Sequence, residues 1–368
     1  MRPKSIYFYV ITLVVGFLLA GCDEEGDEIP LDAVVEEQVQ SGDGEVEDVT
    51  GQMYFPPSGT DDWETISALS LGWDTAHLNA AIRYAEEKNS HSLLILHKGR
   101  IVAEQYWKDK NAASQHDLES VSKSLMAFVI GVLQQDGRLK LEDKVSSYLG
   151  EGWSNAPASE ADISLHHLLT MSSGLNENLE WVGPPGETWR YCHAAYAKLY
   201  NVIDIAAGES FREVFESTLF DPIGMSAHTW SGKDLLTNAR DIARFGLLIM
   251  NDGTWNGDKV IQDEGYFTNM LSTSQAINEA YGYLWWLNGK STWYDDGNDV
   301  ANRGAIVVTM PSDAVLAKGK RDQRIYVVPG LELVVVRQGD DTTLPEIGEG
   351  SFDIEFWRRL MNAIDTSS

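Results

Sequence analysis

The spacing of apolar positions along this chain switches from a helical period to a strand period and back, and the switches mark its elements. Behind an arm over residues 54–73, rich in Pro, Gly, Asp and Trp, Leu78, Ile82 and Ala85 recur on one helical face. Asp74 or Thr75 can cap that helix, which is predicted to run to about residue 88. Residues 92–97 and 100–107 then read as strands joined at Lys98-Gly99, a hairpin. The centre of the chain returns to helical patterns over 122–135, 165–171, 196–207 and 239–250. Gly137 is placed to end the first of these, with Arg138 and Lys140 favourably behind it. Residues 323–328 and 331–337 alternate as strands around Pro329-Gly330, and an amphipathic helix closes the chain over 352–364. Strands first, helices in the middle, strands and a helix last: this order predicts an α/β fold of the α+β type. Its antiparallel sheet is built from both chain ends and flanked by helices, with an all-helical domain inserted between them. No internal repeat is present.

The N-terminus breaks the pattern. Arg2 and Lys4 precede an apolar run over 6–19, too short for a comfortable membrane span, so residues 1–21 read as a cleaved export signal. Its ending, Leu19-Ala20-Gly21-Cys22, resembles the bacterial lipoprotein signal, which implies that Cys22 is lipidated and becomes the first mature residue. The chain is then expected to be exported and anchored to a bacterial membrane, its body in the periplasm or outside the cell. Cys22 and Cys192 are the only cysteines, so a lipidated Cys22 leaves no intramolecular disulfide. Every charged residue between Cys22 and Asp48 is acidic, and residues 22–53 read as a self-repelling disordered tether ahead of one domain over 54–368. The formal net charge of -28 argues against nucleic acid as a partner and against electrostatic adsorption to anionic lipid.

Candidate chemistry centres on Ser120-Val121-Ser122-Lys123, which opens a run read as an amphipathic helix. Positions three apart share a helical face, so the Lys123 amine can reach the Ser120 hydroxyl. A serine needs such a base to act as nucleophile near neutral pH, and a lysine can be one when burial and the positive end of a helix lower its pKa. No other serine has a lysine at this spacing, and no Gly-x-Ser-x-Gly elbow occurs. His166-His167 lacks the spaced carboxylates or cysteines of a zinc site, so no metal is assigned, and the chemistry calls for no cofactor.

Around this motif lie Leu118-Glu-Ser-Val-Ser-Lys-Ser-Leu125, Ile163-Ser-Leu-His-His-Leu-Leu-Thr-Met-Ser-Ser-Gly174, Trp189-Arg-Tyr191, Phe220-Asp-Pro-Ile-Gly-Met225, Tyr281-Gly-Tyr-Leu-Trp-Trp286 and Arg324-Ile-Tyr-Val-Val-Pro329. In this order they resemble the class C β-lactamase-related serine hydrolases, a group that includes penicillin-binding D,D-peptidases, esterases and 6-aminohexanoate-dimer hydrolases. The resemblance spans most of the chain from about residue 60 and implies a β-lactamase/transpeptidase-like fold. It implies Ser120 as nucleophile with Lys123, and Tyr191 as the tyrosine of a Tyr-x-Asn element that shuttles the proton. Lys123 would be the cation beside Tyr191, and Tyr196 the fallback base.

The chain departs from the family at His193, where the pattern has Asn; a histidine offers its donor and acceptor in a different geometry, and a substrate contact is one role open to it. The Lys/His-Thr-Gly-like triplet is matched by Ala317-Lys318-Gly319. Gly319 would admit substrate closely, and an amide near Lys320 or Arg321 would join that of Ser120 to hold an oxyanion. Asp322 replaces a glycine. Lys318, Lys320, Arg321 and Arg324 form a basic cluster, read either as a solvated strand edge or as capture of a substrate carboxylate. Trp285 and Trp286 are either core or a binding wall, with Trp286 taken as the substrate contact. The expectation is a serine hydrolase cleaving a carboxylic ester or amide, in a small molecule or short peptide, through an acyl-enzyme on Ser120. A D,D-peptidase or β-lactamase-type cell-wall enzyme, or a penicillin- or peptide-binding protein with little turnover, is the alternative.

Overall fold

The computed structural model of the chain describes residues 51–60, 62–295 and 300–364; the export signal, Cys22 and nearly all of the acidic tether lie outside the described residues. Asp74 accepts a hydrogen bond at 2.9 Å from the His77 amide and caps the first helix, α1 (Thr75–Glu87). The predicted hairpin follows as β1 (Ser90–His97) and β2 (Arg100–Tyr106). The next helix, α2 (Ser122–Gln135), has its predicted bounds but not its predicted character. Every residue from 122 to 133 is buried, so α2 is an internal helix rather than an amphipathic one. Gly137 ends it at φ +69°, with the Arg138 amide bonded to the Leu133 carbonyl at 2.9 Å.

Among the later helices are α3 (Leu165–Leu169), α4 (His193–Tyr196), α5 (Lys198–Ala207) and α6 (Ala239–Met250). The single helix predicted over 196–207 is thus broken at Ala197, and its first piece starts earlier, at His193. The inserted region is helical as expected, with two short hairpins added. His228–Ser231 pairs with Asp234–Thr237, which also pairs with His116–Asp117, and Thr254–Trp255 pairs with Asp258–Lys259.

The main sheet draws on both chain ends. Strands β3 (Trp286–Leu287), β4 (Val315–Gly319), β5 (Gln323–Val328) and β6 (Leu333–Gly339) join the hairpin in the order β2-β1-β6-β5-β4-β3, every neighbouring pair antiparallel. Both faces are covered, and strand alternation sorts them. On one face Val334 and Ile325 meet α6 at Gly246, where an added Cβ would come within 2.5 Å of Val334 Cγ1. On the other, Tyr326 packs on Phe356 and Trp357 of the closing helix α7 (Phe352–Ile364), which also contacts α1 through the stacked pair Tyr84–Phe352. The arm before α1 shields the edge strand β2. Thr65 bridges Ile101, and Trp63 Nε1 donates to the Gly99 carbonyl at 2.7 Å.

Candidate active site

Asp117 leads from the short edge strand into a tight turn over Glu119–Val121 that enters α2, and Ser120 sits at its middle. Glu119 holds a left-handed φ of +51°, with its amide bonded at 2.8 Å to Asp117 Oδ1. One turn later Lys123 Nζ lies 2.9 Å from Ser120 Oγ, as the three-residue spacing predicted. Lys123 is 2% exposed, and its amine rests over the rings of Tyr196, 4.5 Å from the centroid, and Tyr191, 5.3 Å away.

His193 reaches the same amine. Its Nδ1 is 3.2 Å from Lys123 Nζ, so the ring meets the lysine as well as lining the cavity in front of Ser120. Burial, and then the Lys123 charge, hold the imidazole below the usual histidine range. A neutral ring that accepts from the Lys123 amine at Nδ1 would carry its proton on Nε2. What places His193 is Glu177, whose carboxylate accepts the His193 amide at 2.6 Å and the Ala194 amide at 3.0 Å at the start of α4. Sequence reasoning missed Glu177, because it lies in a separate loop with no local spacing to mark it. Cys192 is structural: its thiol bonds the Asn176 carbonyl at 3.2 Å, and burial pushes its pKa up to about 11. Tyr196 gives its hydroxyl to Tyr200 at 3.1 Å, and burial drives its pKa well above the ordinary value. Its hydroxyl is thus turned toward Tyr200, while its ring lies beneath the Lys123 amine.

Ser120 stands at the junction of two lobes. The larger, about 510 Å³, is lined by Lys123, Tyr191, His193, Tyr200, Asp234 and Lys320 among others. The smaller lies between Tyr191, Trp286, Lys318, Gly319 and Glu346. Trp286 stacks on Tyr191, centroids 6.3 Å apart and planes 18° from parallel, and Tyr281 and Trp189 close the aromatic box behind them. Trp285 faces the other way, into the core against Phe245. Trp285 stands just before β3 and Trp286 opens it, and the two rings point apart, one to packing and one to the site.

Strand β4 forms a wall. A Cβ on Gly319 would stand 2.6 Å from the Leu118 carbonyl oxygen and 3.1 Å from the Ser120 amide nitrogen, so only glycine lets this strand close on the Ser120 turn. Lys320, next in the chain, lines both lobes.

The basic cluster does not survive folding as a cluster. Arg324 is 1% exposed and bonded to Asp353 at 3.0 Å and Asp322 at 2.8 Å, beneath the sheet and away from both lobes. Arg321, expected to contact substrate, lines neither lobe and turns to Glu119, 2.8 Å away, and Asp117, 3.6 Å away. Lys318 does reach the smaller lobe, already paired with Glu346 at 3.2 Å. Asp322, which stands where the family pattern has glycine, is a buried anchor that accepts from Arg324 and, at 2.7 Å, from Thr342. Among the described residues no group of three or more His, Cys, Asp or Glu could hold a metal ion.

The family model described as Beta-lactamase matches residues 78–338. A 6-aminohexanoate-dimer hydrolase of Paenarthrobacter ureafaciens is 22% identical over 301 residues, covering 68% of this chain and 73% of the relative. Penicillin-binding protein 4* of Bacillus subtilis is 28% identical over 140 residues, 31% of this chain and 30% of the relative. Among solved structures, a penicillin binding protein from Bacillus halodurans superposes with a TM-score of 0.56 at 16% identity, over 76% of this chain and 97% of that one. EstCE1, a hydrolase with promiscuous acyltransferase activity, does so with a TM-score of 0.60 at 15% identity, over 80% and 99%.

Proposed function

The chain belongs to the β-lactamase family, and from that premise we propose that it hydrolyses a carboxylic ester or amide through an acyl-enzyme on Ser120. The observation that carries this reading is the 2.9 Å contact between Lys123 Nζ and Ser120 Oγ at the junction of two lobes. Ser120 Oγ attacks the substrate carbonyl carbon while its proton passes to the Lys123–Tyr191 unit, which holds one shared proton. The oxyanion is held by the amides of Ser120 and Lys320, brought together by the absence of a side chain at Gly319. The proton returns through Tyr191 to the leaving oxygen or nitrogen as the carbonyl–leaving-group bond breaks. Water then attacks the acyl-enzyme by the reverse proton path, releasing the acid and Ser120.

Support for an ester or amide over a β-lactam comes from His193, which engages Lys123 where the family pattern has Asn. The same proposal has the enzyme exported and tethered through lipid on Cys22, on the strength of Leu19-Ala20-Gly21-Cys22 and the acidic run behind it.

The test is covalent labelling with a fluorophosphonate and, separately, a fluorescent penicillin, followed by identification of the modified residue. Label on Ser120 is expected, and Ser120→Ala should lower p-nitrophenyl ester hydrolysis by about a thousandfold or more. Label on another residue, or turnover retained by Ser120→Ala, sinks the reading. Strong penicillin labelling without ester turnover favours the penicillin-binding alternative.

A further inference from the structure

We infer that Arg321 is a positioning residue that clamps the two halves of the oxyanion site together, an inference that rests on the acyl-enzyme reading above. The two halves come from distant parts of the chain, the turn at Glu119–Val121 and the turn that follows β4. Each half contains residues with side chains in left-handed backbone: Glu119 at φ +51°, and Arg321 and Asp322 both at φ +56°. Such conformations are disfavoured and persist only where the surroundings hold them.

The far turn is held from beneath. Arg337 Nη1 donates to the Arg321 carbonyl at 3.0 Å and the Asp322 carbonyl at 2.8 Å, while the Asp322 carboxylate is fixed by Arg324 and Thr342. With its backbone pinned to the sheet, Arg321 extends its guanidinium across to Glu119, 2.8 Å away, and Asp117, 3.6 Å away. Asp117 in turn accepts the Glu119 amide, so the bridge ends on the residue next to Ser120. The ion pair therefore spans the gap whose width sets where the Ser120 and Lys320 amides stand.

Its side chains are 44% and 28% exposed, so the pair contributes little to global stability. Its effect falls on geometry, and a small misplacement of oxyanion donors lowers the rate rather than the affinity for a neutral substrate.

The experiment uses the full chain with p-nitrophenyl acetate, which carries no charge for Arg321 to bind. Arg321→Ala and Glu119→Gln should each lower kcat by about tenfold, with KM within about twofold and unfolding temperature nearly unchanged. The double variant should lose no more than either single, and Arg321→Lys should recover part of the loss. Salt near 1 M should slow the wild type toward Arg321→Ala and leave that variant unmoved. Affinity for a boronic acid that forms a tetrahedral adduct on Ser120 should fall with kcat/KM. Wild-type kcat in Arg321→Ala, or multiplicative losses in the double variant, overturns the clamp. A loss confined to KM for carboxylate-bearing substrates does so too, and makes Arg321 a substrate ligand. A wild type that neither turns over esters nor labels at Ser120 overturns both this inference and the reading beneath it.

Discussion

His193 shows how much one substituted side chain can carry. Its Nδ1 accepts from Lys123 at 3.2 Å only while the ring is neutral, and burial together with the lysine charge keeps it so near pH 7. Below its depressed pKa the ring becomes a second cation facing Lys123, and the contact is lost. His193→Ala should therefore reduce kcat by about tenfold or more, whereas His193→Asn, whose amide oxygen can accept from the same amine, should keep most of it. The pH dependence separates this from packing: an acid limb contributed by His193 should vanish in His193→Asn. Equal losses in both variants, with an unchanged acid limb, would return His193 to a purely spatial role. Residue by residue, Ser120 with Lys123 was legible because their contact is local, fixed by one helical turn. The basic cluster was misread because Asp353 and Glu119, which neutralise Arg324 and Arg321, are remote in sequence from the residues they meet.

Among elements, those with an N-cap and a sustained period were predicted closely, as α1 behind Asp74 and α6 behind Asn238 show. The hairpin over His228–Ser231 and Asp234–Thr237 was missed, since four-residue runs have no period to read. The break at Ala197 was missed as well, because α4 is started by the Cys192 thiol, an uncommon cap that accepts the Ala195 amide, together with the remote Glu177 carboxylate. Strand β4 supplies the sharpest test at this scale. Gly319→Ala must push its Cβ against the Leu118 carbonyl and the Ser120 amide, both backbone atoms that cannot swing aside. The strand should move off the Ser120 turn, lowering kcat by about a hundredfold while circular dichroism stays native. Activity within threefold of wild type would mean that β4 does not form the oxyanion wall.

At the scale of the whole molecule, burial dominates the titration of six histidines. His91, His97, His116, His166, His167 and His193 all have pKa values lowered by desolvation, His116 and His167 to about 4. His167 Nδ1 also accepts the Ser164 amide, which a protonated ring could not do. A histidine whose folded pKa lies below its unfolded value takes up its proton first in the unfolded chain. Stability is then full above about pH 6.5 and falls as pH drops toward 4. Between pH 7 and pH 5 each of His116 and His167 should remove on the order of 1 kcal/mol, seen as a lower urea midpoint. His116→Gln should shrink that drop; a midpoint flat from pH 7 to pH 5 would contradict it. The carboxylates held low, such as Glu355 at about 2, act only at more acid pH and leave this window to the histidines.

By itself the sequence determined what is short-range: the helix and strand periods, the caps, the serine–lysine contact one turn apart, and the order of segments that resembles a known family. From that order followed a sheet drawn from both chain ends. Only the tertiary structure decided which cations face the cleft, which tryptophan lines it, and that α2 is buried on all sides. It also decided that Glu177 meets His193 and that Arg321 meets Glu119 beside Ser120. The reason is physical: a period constrains neighbours along the chain, whereas charge pairing, desolvation and close backbone approach depend on partners that packing brings from far away.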